Sequence, residues 1–267
     1  MIDPKERFSN RVDDYVRYRP GYPDAVVEML AGEAKLDDMA HVVDVGSGTG
    51  ILTRQLLAAL GSRARVTGIE PNRAMREAAE KLQSADARFE SVDASAEATG
   101  LPGASADLIV AAQAFHWFDS RRARVEFARI LKPAGIVALV WNQRRDTPLN
   151  RDYEEMLERF APEYAGVRES DRASEPKIRS FFAPVSPRRA MFDNEQRFDE
   201  AGIKGRLLSS SYCPPPGDPN HAPIMKRLGE IFRAHSESSA GQPASGGGEF
   251  VTFLYDTVVW YGPLHAS

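Results

Sequence analysis

The stretch HVVDVGSGTGILTRQLLAAL, residues 41–60, decides the fold. HVVDV (41–45) is a short apolar run of the kind that forms a strand buried on both faces. Gly46, Gly48 and Gly50 follow, where the backbone must turn sharply and a ligand can approach the main chain without meeting a Cβ. TRQLLAAL (53–60) has helical spacing, with Gly61 as its stop. A strand, a glycine turn and a helix in immediate succession make the opening unit of a parallel α/β sheet.

Outward from that unit the alternation continues. RVTGIE (65–70) is a second strand, and Asn72 caps a helix to Gln83 with Ala74, Met75, Ala78, Ala79 and Leu82 on its inner face. ARFESVD (87–93) and DLIVAAQA (107–114) are strands three and four. Asp119 caps a helix to Leu131, Lys132-Pro133-Ala134-Gly135 ends it, and GIVALVWN (135–142) is the fifth strand. Strands that alternate with helices, several of them apolar on both faces, predict a parallel sheet covered on two sides.

The flanks differ in character. Residues 1–40 are expected to form a helical cap, with Pro23 in a first turn and Val26, Val27, Leu30 and Ala34 as its apolar stripe. After the core (41–142), residues 143–187 are charged, helical around Asn150–Phe160 and broken by prolines, which suits an insertion or lid. Residues 188–267 complete the sheet: an edge strand at 188–198, a helix from Asp199 to Leu208 and another over roughly 219–235. A flexible loop then spans 238–248, and FVTFLYDTVVWY (250–261) returns late as a central strand.

Composition excludes several function classes. The 267 residues carry 34 Lys and Arg against 38 Asp and Glu, a net charge of −4, so no global positive field recruits nucleic acid or an anionic membrane. No apolar run approaches the roughly 18 residues of a membrane span, and the charged first twenty residues lack the apolar stretch of a signal peptide. The single cysteine, Cys213, implies a reducing compartment and a cytoplasmic protein. His41, His221, His235 and His265 show no metal-ligand spacing, so no metal is expected.

Two acids give the glycine loop its chemistry. Glu70 ends the second strand, where a carboxylate can accept from both hydroxyls of a ribose, and Asp93 ends the third, where one can receive the exocyclic amine of adenine. The alternative is that each merely caps the helix that follows. A dinucleotide fingerprint would place its third glycine at position 51, which is Ile51, so the spacing here is Gly-x-Gly-x-Gly with Asp44 ahead of it.

That spacing resembles the first motif of class I S-adenosylmethionine-dependent methyltransferases, and the resemblance runs through residues 42–142. YVRYRPGYP (15–23), AQAFHWFD (112–119), LLSSSY (207–212) and FLYDTVVWYG (253–262) are similar to a small-molecule subgroup of methyltransferase type 11-like enzymes that includes trans-aconitate methyltransferase. The resemblance implies a doubly wound, Rossmann-like, mostly parallel seven-stranded sheet with one antiparallel strand, plus a helical lid. It implies S-adenosylmethionine as cofactor, S-adenosylhomocysteine as product, and in-line transfer to a small molecule, with carboxylic acids among the candidate acceptors.

Residue by residue, the resemblance places the methionine part and ribose of the cofactor against Asp44, Gly46, Ser47 and Gly48, and the ribose on Glu70. It places the adenine between Pro71, Asn72, Asp93 and Ala94. Gln113 lies beside the sulfonium, and Tyr15 and Arg19 fold over the cofactor, Arg19 toward its carboxylate. Phe115, Trp117 and Tyr212 are the expected substrate contacts, with Phe118 beside them; core packing is the alternative for the three aromatics of FHWF. His116 is the candidate general base for a hydroxyl or amine acceptor, and a carboxylate would need none. A structural role beside Trp117 is its alternative.

Charged residues are weighed in the same way. Arg121, Arg122, Arg124 and Arg129 suit a solvated helix face paired with Glu126, while Arg144, Arg145, Arg188 and Arg189 lie near the lid and could meet an anionic substrate or simply water. Three rival functions are a nucleic-acid methyltransferase on the same fold, a nicotinamide-dependent oxidoreductase and a non-catalytic cofactor binder. The first lacks an Asp/Asn-Pro-Pro-aromatic motif after strand four, and Ile51 argues against the second.

Overall fold

The computed structural model describes residues 12–166, 174–238 and 248–265. The elements are α1 (Val12–Tyr18), α2 (Asp24–Glu33), β1 (His41–Val45), α3 (Ile51–Ala59), β2 (Arg65–Ile69), α4 (Arg73–Leu82) and β3 (Phe89–Val92). They continue with β4 (Ala106–Ala112), a 3₁₀ turn at Phe115–Trp117, α5 (Ser120–Ile130) and β5 (Leu131–Arg144). The second part holds α6 (Pro148–Phe160), α7 (Glu175–Phe182), β6 (Arg188–Phe198), α8 (Glu200–Leu208), α9 (His221–His235), the two-residue β7 (Glu237–Ser238) and β8 (Glu249–Gly262).

The sheet runs in the order β3-β2-β1-β4-β5-β8-β6, with β7 paired to the start of β8. Strands β1 to β5 are parallel, and β8 runs antiparallel between β5 and β6. The fold is therefore an α/β Rossmann-like sheet of seven main strands, one of them antiparallel, as expected. Strand order reverses between β1 and β4, and it is there, beyond the carboxyl ends of the strands, that sheets of this type hold ligands.

Side-chain alternation divides the core. Val43, Val45, Ile109, Ala111, Val137 and Leu139 face α5 and α7, whereas Val42, Leu108, Val110, Ala138 and Val140 face α2 and α3. A third cluster joins α6, α8 and α9 to the first half of β8, through Tyr153, Leu157, Ile203, Leu228, Ile231 and Phe253.

Several boundaries shift for physical reasons. Helix α3 begins at Ile51 because Gly50, at φ 78°, turns the chain directly into it, and it ends at an extended Leu60 before Gly61 is reached. On α4 only Met75 and Ala79 are buried; Leu82 is exposed in the last turn, where the helix runs past its neighbours. Asp119 caps α5 by accepting from Arg121 N and Arg122 N, and Thr147 and Asp199 cap α6 and α8 in the same way. The flexible loop expected at 238–248 falls largely on residues 239–247, outside the described ones, as do residues 1–11 of the expected cap.

Candidate functional site

The β1–α3 loop builds one wall of a cavity of about 450 Å³. Gly46 and Gly48 adopt φ 70° and 56°, a region closed to most side chains. At Gly46 an added Cβ would stand 2.5 Å from Ala114 Cβ, so this glycine lets the loop lie flat on the end of β4; at Gly48 nothing lies within 4 Å and the space belongs to the cavity.

Glu70 holds this wall in place. One carboxylate oxygen accepts from Gly48 N at 2.9 Å and the other from Asn72 N at 2.8 Å, so a single side chain ties the glycine loop to the start of α4. Burial pushes its carboxyl above the usual range, against the pull of those two backbone donors. Asn72 in turn caps α4, its Oδ1 accepting from Met75 N at 3.0 Å. Each Glu70 oxygen keeps a further lone pair, and Glu70 itself lines the cavity.

The opposite wall comes from the ends of β4 and β5. Gln113 leaves β4 with φ 52°, an uncommon conformation for a non-glycine residue, and turns the chain into the Phe115–Trp117 turn. His116 and Trp117 line the cavity side by side, their rings 4.8 Å apart. Asn142, on β5, is held by a network: its Oδ1 accepts from Thr257 Oγ1 at 2.6 Å and Asn194 Nδ2 at 3.1 Å, and its Nδ2 donates to Gly21 O at 3.1 Å.

Of the residues that the sequence singles out, Tyr15, Arg19, Gly46, Gly48, Glu70, Pro71, Asn72, Gln113, His116, Trp117 and Tyr212 all line this one cavity, and Phe118 joins them. The Arg19 guanidinium lies over the Tyr15 ring at 4.8 Å and donates to Ser209 O at 3.2 Å.

Five others do not line it. Asp44 is fully buried behind the loop, where it accepts from Thr53 Oγ1 at 2.7 Å, and burial pushes its carboxyl up to about 6. The Ser47 side chain packs over Gly68. Asp93 is largely exposed and pairs with Arg76 at 2.9 Å, and Ala94 packs half-buried against the core. Phe115 is a correction: expected at the substrate, it is buried edge-on against Trp141 and Phe181, because the 3₁₀ turn sends one ring of FHWF inward.

Sequence reasoning missed part of the far wall, where Glu154, Tyr164, Arg206 and Tyr255 join Arg144. Of the four arginines expected near the lid, only Arg144 turns inward. Arg145 pairs with Asp256 and Asp193, Arg188 with Glu33, and Arg189 lies exposed over Trp260. Arg129 pairs with Glu126 on α5, but Glu126 is buried and also accepts from Thr99 N at 2.8 Å, so the pair anchors the helix to the β3–β4 loop and is not part of a solvated face. Among the described residues no group of His, Cys, Asp and Glu is placed to hold a metal ion, and no helix is long and apolar enough to cross a membrane.

An open parallel sheet with a glycine-lined cavity at its switch point is the arrangement in which α/β folds hold their ligands, and comparison with known proteins narrows the class. Residues 43–139 match the family model for a methyltransferase domain. That segment is similar to methyltransferase domains, and the chain shares its Rossmann-like fold with solved methyltransferases.

Among its relatives are an uncharacterized methyltransferase-like protein of Schizosaccharomyces pombe and the trans-aconitate 2-methyltransferase of Azoarcus sp. The first is 35% identical over 150 residues, 55% of each chain. The second is 32% identical over 158 residues, 58% of this chain and 59% of that protein. The chain thus spans little more than half the length of these curated relatives. A solved structure designated a type II methyltransferase, from Anaeromyxobacter dehalogenans, superposes with a TM-score of 0.63 at 23% identity, covering 94% of this chain and all of that one. A geranyl diphosphate methyltransferase in complex with SAM shares the fold at a TM-score of 0.50 and 14% identity, over 97% of this chain and 92% of that one.

Proposed function

We propose that this chain transfers the methyl group of S-adenosylmethionine to a small-molecule acceptor bound in the same cavity. The observation that carries the reading is the double engagement of Glu70, which holds the glycine loop and the α4 start in one frame while facing the cavity. The open space at Gly48 and the free lone pairs of Glu70 fit a ribose laid against that loop. Pro71 and Asn72 would flank the adenine, and Arg19 would meet the amino-acid end. Asp44 would act through the loop, by holding Thr53 on α3, and Asp93 would reach the adenine only by leaving Arg76.

When bound, the cofactor would supply a methyl group on a sulfonium, open to in-line attack at the methyl carbon by an acceptor lone pair, with the thioether as leaving group. The chain's part is alignment and exclusion of water. Gln113 and the locked Asn142 fix the floor between β4 and β5, and Trp117 offers an aromatic face to a cation. His116, which lines the cavity, would take a proton from a hydroxyl or amine acceptor, whereas a carboxylate acceptor asks nothing of it. Residues 143–187 would serve as the lid that selects the acceptor, and the single, buried Cys213 suits a reducing cytoplasm.

A labelled transfer tests the reading. Purified chain is incubated with methyl-labelled S-adenosylmethionine and either the small-molecule ultrafiltrate of a cell extract or its RNA and protein fraction. Label entering the small-molecule fraction supports the proposal. Label confined to RNA or protein contradicts it.

A further inference from the structure

The far wall of the cavity contains two cations, one buried and one largely shielded, with too few anions among the described residues to balance them. Arg206, on α8, is 5% exposed, and the one hydrogen bond of its guanidinium among the described residues is from Nη1 to Ser210 Oγ at 3.2 Å. No carboxylate among the described residues pairs with it. Arg144, at the end of β5, is largely shielded, with 14% of its side chain exposed; it donates to Tyr164 OH at 3.2 Å, lies over the Tyr153 ring at 5.1 Å, and has Glu154 at 3.7 Å. Two guanidinium groups with ten N–H donors therefore share one half-buried carboxylate and a few hydroxyls.

Buried charge is costly unless paired, and a planar guanidinium is the side chain best matched to an oxyanion. We infer that Arg144 and Arg206, with Tyr212 near both, form a subsite for an oxyanion, a carboxylate or phosphate, that anchors the acceptor and is not the group methylated. An oxygen whose lone pairs are committed to guanidinium N–H groups is a poor nucleophile, so a ligand held there must present a second group to the cofactor end. The acceptor is then at least bifunctional: an anionic handle at the β5–α8 end, and a nucleophile near Gln113, His116 and Asn142. This inference rests on the proposed methyl transfer for the role of the second group. The oxyanion subsite itself does not.

Tyr212 reports on the occupant. Burial would raise its phenol, but the positive charges of Arg144, Arg206 and Arg19 bring it down to about 8. The groups that face it are Arg144 from β5, Tyr153 and Glu154 from α6, Arg206 and Ser210 from α8 and its end, Tyr255 from β8, and Arg19 and Tyr164. An ionised Tyr212 is a built-in anion at the subsite, and a bound oxyanion competes with it.

Calorimetric titration of the full chain tests this with succinate, its monomethyl ester, succinamide, inorganic phosphate and S-adenosylhomocysteine. Succinate and the monoester are expected to bind at least tenfold more tightly than succinamide, with affinity falling between pH 7 and 9; Tyr212→Phe flattens that fall. Phosphate binding instead of succinate binding assigns the handle to phosphate esters. Arg206→Met should cost at least tenfold in anion affinity and keep S-adenosylhomocysteine affinity within about threefold. Its urea midpoint should be unchanged or higher, because an unbalanced buried cation has been removed; Arg206→Lys should retain part of the anion binding. No binding of any anion up to about 10 mM overturns the inference. So does an Arg206→Met protein that loses S-adenosylhomocysteine but not the anion, which would assign the arginine to the cofactor. Failure of S-adenosylhomocysteine alone counts against the proposed function and leaves the anion subsite standing.

Discussion

Removing the Glu70 carboxylate should weaken two properties at once, and the structure says by how much. In Glu70→Ala, Gly48 N and Asn72 N both lose a charged acceptor at 2.9 and 2.8 Å. Hydrogen bonds to charged groups contribute about 1.5–3 kcal/mol each. Two would give about 3–6 kcal/mol, but water in the cavity can reach the exposed donors, and the cost of burying the carboxylate is recovered. The net loss of stability should be about 1–3 kcal/mol. Cofactor binding loses the ribose contact as well, about 1.5–3 kcal/mol, or roughly 10- to 150-fold in affinity. Urea unfolding monitored by tryptophan fluorescence gives the first quantity, and calorimetry with S-adenosylhomocysteine the second. Glu70→Gln keeps one acceptor and should fall between the two. If Glu70→Ala leaves both the urea midpoint and the affinity unchanged, Glu70 neither holds the loop nor touches the cofactor, and the reasoning fails.

Other outcomes follow from the same geometry. Phe115→Ala should destabilise the fold by about 3–5 kcal/mol in urea without changing KM for an acceptor, because the ring sits in the core; a change in KM with normal stability would return it to the site. Asp44 is held up at about 6, so the stability it confers in the protonated state is lost as pH rises from about 4 through about 6. Asp44→Asn should therefore gain up to about 3 kcal/mol on wild type at pH 8 relative to pH 4. His41, held down by burial, acts in the opposite sense over part of that range but cancels between the two proteins. Equal pH profiles would place Asp44 at an ordinary pKa. Asp93→Ala should change stability by no more than about 1 kcal/mol, since its pair with Arg76 is exposed, and a larger loss in denaturation would show a buried role. His116→Gln should lower kcat for hydroxyl or amine acceptors and spare carboxylate ones; equal losses for both would remove it as a base.

The parallel sheet was legible because its strands are short apolar runs separated by strong stops, and the glycine spacing, with Glu70 after the next strand, marked the cavity. Most of the far wall was not legible, although the sequence singles out Tyr212 and Arg144. Arg206 sits in a charged helix next to Lys204, a pattern that normally means a solvated face. It is buried because Gly205 lets α8 close on the Tyr18 ring, a tertiary contact with no local signature. The aromatic run FHWF hid its division between core and cavity, because a 3₁₀ turn has neither strand nor α-helical period. Arg144 and Arg145 look alike in sequence. Only their positions at the end of β5, next to Tyr255 and Asp256 of β8, send one inward and the other into ion pairs at the surface.

The central claim is that the glycine-loop cavity holds the nucleoside of a sulfonium cofactor. Calorimetric titration of the purified chain with S-adenosylhomocysteine and, separately, with NADH tests it most directly. The account predicts one-to-one, micromolar binding of S-adenosylhomocysteine and none of NADH. Binding of NADH without S-adenosylhomocysteine would contradict it and turn the cavity over to hydride transfer.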